Sequence, residues 1–174
     1  LFIFYKILKK RGKKMKNLSF ISLFVLIYLK AITAFAAEYS FEFEGSWLEA
    51  EPNVTKNLAS GKVLADFHDV HVVQYTNQPE FFPSLTSSDC TSKAILNEDT
   101  SLIWVNISCH ISDMSGDTYM LTGSFNPALG GGQNIIQAGT GKFEGIKGTS
   151  EWKITGAHLH GGTYAGKINI TMPD

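Results

Sequence analysis

From residue 37 to the end of the chain, apolar and polar residues alternate nearly one for one. That spacing puts successive side chains on opposite faces of a β-strand, and no stretch carries the three-to-four spacing of an amphipathic helix. "YSFEFEGSW" sets Phe41, Phe43, Gly45 and Trp47 on one face, with Glu42 and Glu44 on the other. "GKVLADFHDVHVVQYT" reads as one long strand, or as two short ones with a bend at Asp66 to Asp69. "CTSKAIL" and "SLIWVNISCHI" follow, joined by the turn "NEDT"; then come "TYMLTGSF", "NIIQAG", "SEWKITG" and "TYAGKINIT". "TNQPEFFPSLTSS", with two prolines, and "NPALGGGQ" read as loops. Eight strands with frequent turn signals predict an all-β, antiparallel sandwich or barrel, and eight is the number of the smallest barrel able to hold one small ligand.

The strand after "NEDT" predicts its own faces. Ile103, Val105, Ile107, Cys109 and Ile111 point inward, and Trp104, Asn106, Ser108 and His110 point outward. A turn centred between Asp99 and Thr100 sets Cys90 directly opposite Cys109. Opposed antiparallel residues are close enough for a disulfide, whereas a slip of one residue would put the two sulfurs on opposite faces. They are the only two cysteines in the chain, and one disulfide is expected.

The first 36 residues follow a different pattern. Seven basic residues between Lys6 and Lys16 precede the apolar run "LSFISLFVLIYL" and then "KAITAFA". This is the layout of a secretory signal peptide, with cleavage expected after Ala36 and residues 37–174 forming one domain. The run of about twelve apolar residues is short of the roughly twenty that span a bilayer. The mature protein is therefore expected to be exported, periplasmic or extracellular, and not integral to a membrane. Met15 reads as the better start. Removing the leader also changes the charge. Eight of the 15 Lys and Arg residues and none of the 16 acids lie in it, so seven basic groups face sixteen acidic ones in the remainder, a net charge of −9. Such a domain repels nucleic acid, whose binding depends on basic contacts to phosphate.

Candidate chemistry is sparse. "QAGTGKFEGIKGTSEW" places glycines at 139, 141, 145 and 148 around Lys142. It fails the phosphate-loop pattern, since Phe143 follows Gly141-Lys142, and it fails the dinucleotide pattern, since its third glycine comes one residue late. It reads as a turn between strands. "DMSGD" has too few ligands for a calcium loop and reads as a hairpin turn. His68 and His71 would lie on opposite faces of a strand. His158 and His160 would share a face and are the weak metal candidates, although Gly161-Gly162 makes a polar loop the better reading. No cofactor or catalytic residue is assigned. The expected interior holds almost no titratable group, because the acids alternate outward. It does hold Phe41, Phe43, Trp47, Tyr119, Phe125, Trp152 and Tyr164, which either fill a core or line a pocket for a small hydrophobic ligand.

"GTGKFEGIKGTSEW" resembles the glycine-rich strand connection of the allene oxide cyclase and dirigent-like barrel superfamily. Cys90, Cys109, "SDMSGDTYML" and "FEFEGSW" extend the resemblance over residues 39–171. Within that superfamily the chain most resembles small secreted bacterial proteins of unknown function. The resemblance implies an eight-stranded calycin-like barrel and, as in the plant relatives, assembly as a homotrimer. The cyclases position a fatty-acid epoxide with polar groups near the barrel mouth, and dirigent proteins steer the coupling of phenolic radicals with acidic residues. No catalytic residue of either group aligns here. The expected function is a binding or structural module for a small hydrophobic ligand; the alternative is an isomerase or cyclase acting on a hydrophobic substrate.

Overall fold

The structure is a computed structural model and describes residues 36–51, 54–99, 101–158 and 160–173. The expected leader, apart from its last residue, and the start at Met15 lie outside the described residues. Among the described residues nine strands occur in chain order: β1 (Ala37–Glu49), β2 (Val54–Asn57), β3 (Val63–Thr76), β4 (Leu85–Leu96), β5 (Leu102–Ser112), β6 (Thr118–Asn126), β7 (Gly131–Gly139), β8 (Lys147–His158) and β9 (Gly161–Met172). Each pairs antiparallel with its neighbours, and β1 pairs with both β9 and β3. Eight strands thus close a barrel, leaving β2 as an addition. All four β2 residues are exposed, so no alternation marks it in the sequence; it forms by pairing with the part of the β3 edge that β1 leaves uncovered.

The "GKVLADFHDVHVVQYT" segment is a single strand, with no bend at Asp66 to Asp69. Residues 65, 67, 69, 71, 73 and 75 therefore keep the same inward direction. In β5 the expected faces hold for Val105, Ile107, Cys109 and Ile111, but Ile103 is exposed. The ladder shifts by one between Ile95 and Leu96, pairing Ile95 with Trp104 but Leu96 with Leu102. Ile103 is the extra residue of that bulge, and Leu102 turns inward in its place. In the expected "NPALGGGQ" loop, Pro127–Leu129 form a 3₁₀ turn and β7 begins already at Gly131.

Below the bulge the expected register is present. Cys90 faces Cys109, and the two form a disulfide with Cα atoms 4.1 Å apart. The bond closes a loop with a sequence separation of 19. Restricting the unfolded chain by such a loop is worth about 3 kcal/mol. Replacing both cysteines by serine is expected to lower stability by about that amount in urea titration. An unchanged midpoint would contradict the structural role.

One end of the barrel is plugged. Residues 77–84, between β3 and β4, fold inward and bury Phe82 at 2% exposure. The glycine-rich segment is the connection from β7 to β8, as its sequence implies, and it carries Phe143 and Ile146 into the same plug. Gly141 (φ +56°) and Gly145 (φ +77°) take left-handed conformations there. Lys142 reaches across to Asp113 in the β5–β6 turn. Asp113 also accepts from the Ser115 and Asp117 backbone N–H groups, at 2.8 and 3.0 Å. Burial opposes its charge, but Lys142 and Ser115 outweigh burial and hold its pKa down at about 2. "DMSGD" is thus a hairpin turn tied to the plug.

Candidate functional site: the barrel interior

Above the plug, small inward residues interrupt the large ones. Ser88 and Ser92 on β4 and Ser150 on β8 all point inward. They leave a cavity of about 350 Å³, within the range of small-molecule sites, about 300–1,000 Å³. Its floor is the hydroxyl pair of Tyr75 and Tyr119, 2.7 Å apart. Ile154 lines the other end while 36% exposed, so the cavity reaches solvent there.

Aromatic rings form a large part of the wall. Tyr164 packs against Gly45, its partner across β1 and β9, and a side chain at Gly45 would collide with the ring. Trp47 packs in the same way against Gly162. Phe125 and Trp152 stack with centroids 5.7 Å apart. Asn134 fixes the indole. With its amide oxygen facing inward it accepts from Trp152 Nε1 at 3.2 Å and Ser150 Oγ at 3.0 Å. Of the seven aromatic residues expected to face a ligand, Phe43, Trp47, Tyr119, Phe125, Trp152 and Tyr164 line this cavity. Phe41 does not; it packs in the plug with its ring 4.7 Å from that of Phe82.

The wall also carries charge-bearing groups that the alternation of acids had not led us to expect. Glu49 and Asp69 oppose one another across β1 and β3, and His71 lies opposite Trp47. All three line the cavity. Because β3 does not bend, Asp69 and His71 share the inward face of Val73 and Tyr75; that parity was the available signal. Glu38, Glu42 and Glu44 do face outward. Burial, then the nearby Glu49 charge, raises Asp69 to about 6. Burial lowers His71 to about 4, so its imidazole is neutral at physiological pH. His71 Nδ1 lies 3.0 Å from the Tyr164 hydroxyl, and its buried Nε2 has no protein partner.

The other histidines lie elsewhere. His68 faces outward, with Nε2 2.9 Å from Asp89. His158 ends β8, and His160 sits in the turn before β9, with Nδ1 3.2 Å from Glu49 Oε2. The two weak metal candidates thus flank a hairpin turn instead of sharing a strand face. Among the described residues no three His, Cys, Asp or Glu side chains gather as a metal ion would require.

Asp69 and His71 give opposed pH dependences. Unfolded, they titrate near 3.8 and 6.5. As pH falls from about 6.5 to about 4, the unfolded chain gains a proton at His71 that the folded chain refuses, and stability falls. From about 6 to 3.8 the folded chain gains a proton at Asp69 that the unfolded chain refuses, and stability rises. Asp69→Asn removes the second effect and leaves the first. The variant is expected to lose more stability than the wild type between pH 7 and 4.5, by about 1 kcal/mol once solvent screening of the part-exposed carboxyl is allowed for, read from urea midpoints. Parallel pH profiles would contradict these assignments.

No protein-family model matches the sequence, and no curated protein matches it. Solved structures do. The pterocarpan synthase dirigent protein GePTS1 is 16% identical, over 80% of this chain and 90% of its own, with a TM-score of 0.50. The pterocarpan synthase dirigent protein PsPTS1 is 17% identical, over 79% of this chain and 97% of its own, also with a TM-score of 0.50. The fold is a dirigent-type eight-stranded barrel, as the glycine-rich segment implies.

Proposed function

We propose that this chain is an exported binding protein whose barrel holds one small, mainly apolar ligand. The observation that carries the reading is the aromatic-walled cavity of about 350 Å³ between the plug and the open end. The leader-like N-terminus supports export, and so does the disulfide, which suits an oxidising compartment. No described helix is long and apolar enough to cross a membrane. The family resemblance adds a homotrimer to the proposal, which light scattering tests. The uncharged fluorescent probe N-phenyl-1-naphthylamine is expected to brighten on addition of the protein and to saturate at one molecule per chain. The absence of a saturable signal would contradict the reading.

Asp69 favours a second reading, an isomerase or cyclase. A carboxyl group with a pKa of about 6 inside an apolar cavity can exchange protons near neutral pH. The solved neighbours are named as synthases. Under this reading Asp69→Asn abolishes turnover while probe binding persists.

A further inference from the structure

The aromatic-walled cavity carries two carboxyl groups and no basic group to match them. Glu49 and Asp69 stand directly opposite each other across β1 and β3, and both line the cavity, whereas no Lys or Arg does. His71 adds no positive charge there, since burial keeps its imidazole neutral at physiological pH. Like charges set opposite one another on neighbouring strands are unfavourable. Glu49 meets the exposed His160 through Oε2 at 3.2 Å. Asp69 is placed differently. The charges acting on its carboxyl are those of Glu49, which repels it, and of His68 on the outer face; among the described residues no hydrogen bond or ion pair holds it. Both acids remain partly exposed, so a molecule in the cavity can reach them.

The surroundings select what Asp69 meets. An anion is repelled, and nothing in the cavity neutralises it. A neutral hydroxyl can donate to the carboxyl but leaves both negative charges in place. A protonated amine donates and offsets the charge at once, and such charge-assisted hydrogen bonds are the stronger kind. Aromatic rings stand beside the acids. Trp47 is the next inward residue to Glu49 on β1, Phe67 is the next to Asp69 on β3, and both line the cavity. The faces of such rings attract cations as well. The excess of acids over bases in residues 37–174 also draws cations toward the protein.

We propose that the cavity selects apolar amines, holding the protonated nitrogen at Asp69 beside the Glu49 charge and the hydrocarbon part against the aromatic wall. This rests on the binding reading above and names the ligand class. Asp69 is a recognition residue here, and Glu49 strengthens its pull on a cation.

Three probes of similar shape test this on the purified protein at pH 7: 2-naphthylmethylammonium, 2-naphthylmethanol and 2-naphthoate, each read by displacement of N-phenyl-1-naphthylamine. The ammonium is expected to bind about tenfold more tightly than the alcohol, with naphthoate weaker than both. Asp69→Asn should remove the preference for the ammonium over the alcohol, and Glu49→Gln should reduce it. The order of the three probes on the wild type stands as a readout even if a variant fails to fold. Equal affinities for ammonium and alcohol, or a preference that survives in Asp69→Asn, would overturn the proposal while leaving the binding reading intact. If N-phenyl-1-naphthylamine itself does not bind and the ammonium produces no saturable change in tryptophan fluorescence, the binding reading falls and this proposal falls with it.

Discussion

Phe82→Ala will destabilise the barrel by roughly 3–5 kcal/mol, the cost of emptying a buried aromatic site. Phe82 comes from a loop, yet it is the hub of the plug. Its ring lies 4.7 Å from Phe41, 5.0 Å from Tyr75, 5.5 Å from Phe143 and 6.0 Å from Tyr119 between centroids. These four residues come from β1, β3, the β7–β8 connection and β6, so one side chain ties together distant parts of the wall. Truncation removes the buried area and the edge-on contacts together, and closely packed neighbours collapse only partly into the gap. Denaturant titration measures the effect. A loss below about 1 kcal/mol would mean that the plug is looser than described.

Ser92→Trp will weaken probe binding by about 100-fold or more while changing stability little. Ser92 points from β4 into the cavity wall, between Phe67 on β3 and Ile107 on β5. An indole at this position occupies the space assigned to the ligand. The two readouts separate a hollow barrel from a filled one. In a filled barrel the added volume would overpack the core and cost about 1–3 kcal/mol. In a hollow one it fills a void and displaces only the probe. Strong destabilisation with no change in probe affinity would argue for a filled interior.

Much of this could be read from residue parity. Alternation gave the β class and most inward faces, and the Cys90–Cys109 pairing gave the register of one hairpin. The exceptions share a cause, in that partners distant in sequence decided them. Ile103 turned outward because of a bulge that alternation within one strand does not show. β2 has no buried side chain and exists only because the β3 edge is available. Phe82 sits in a loop whose prolines signal a turn but not its inward course. Asp69 and His71 were legible in principle, since they share the parity of Val73 and Tyr75; the expected bend at Asp66 to Asp69 hid this. The hollow itself depends on small inward residues such as Ser88, Ser92 and Ser150, and period-two patterning does not distinguish small from large.

Occupancy of the barrel by a ligand can be read from the intact protein. Native mass spectrometry of the protein, purified from its source without unfolding, tests it most directly. The expected result is a mass excess corresponding to one small, mainly apolar molecule per chain, lost on denaturation. A native mass equal to that of the polypeptide with one disulfide, together with no saturable uptake of N-phenyl-1-naphthylamine, would contradict it.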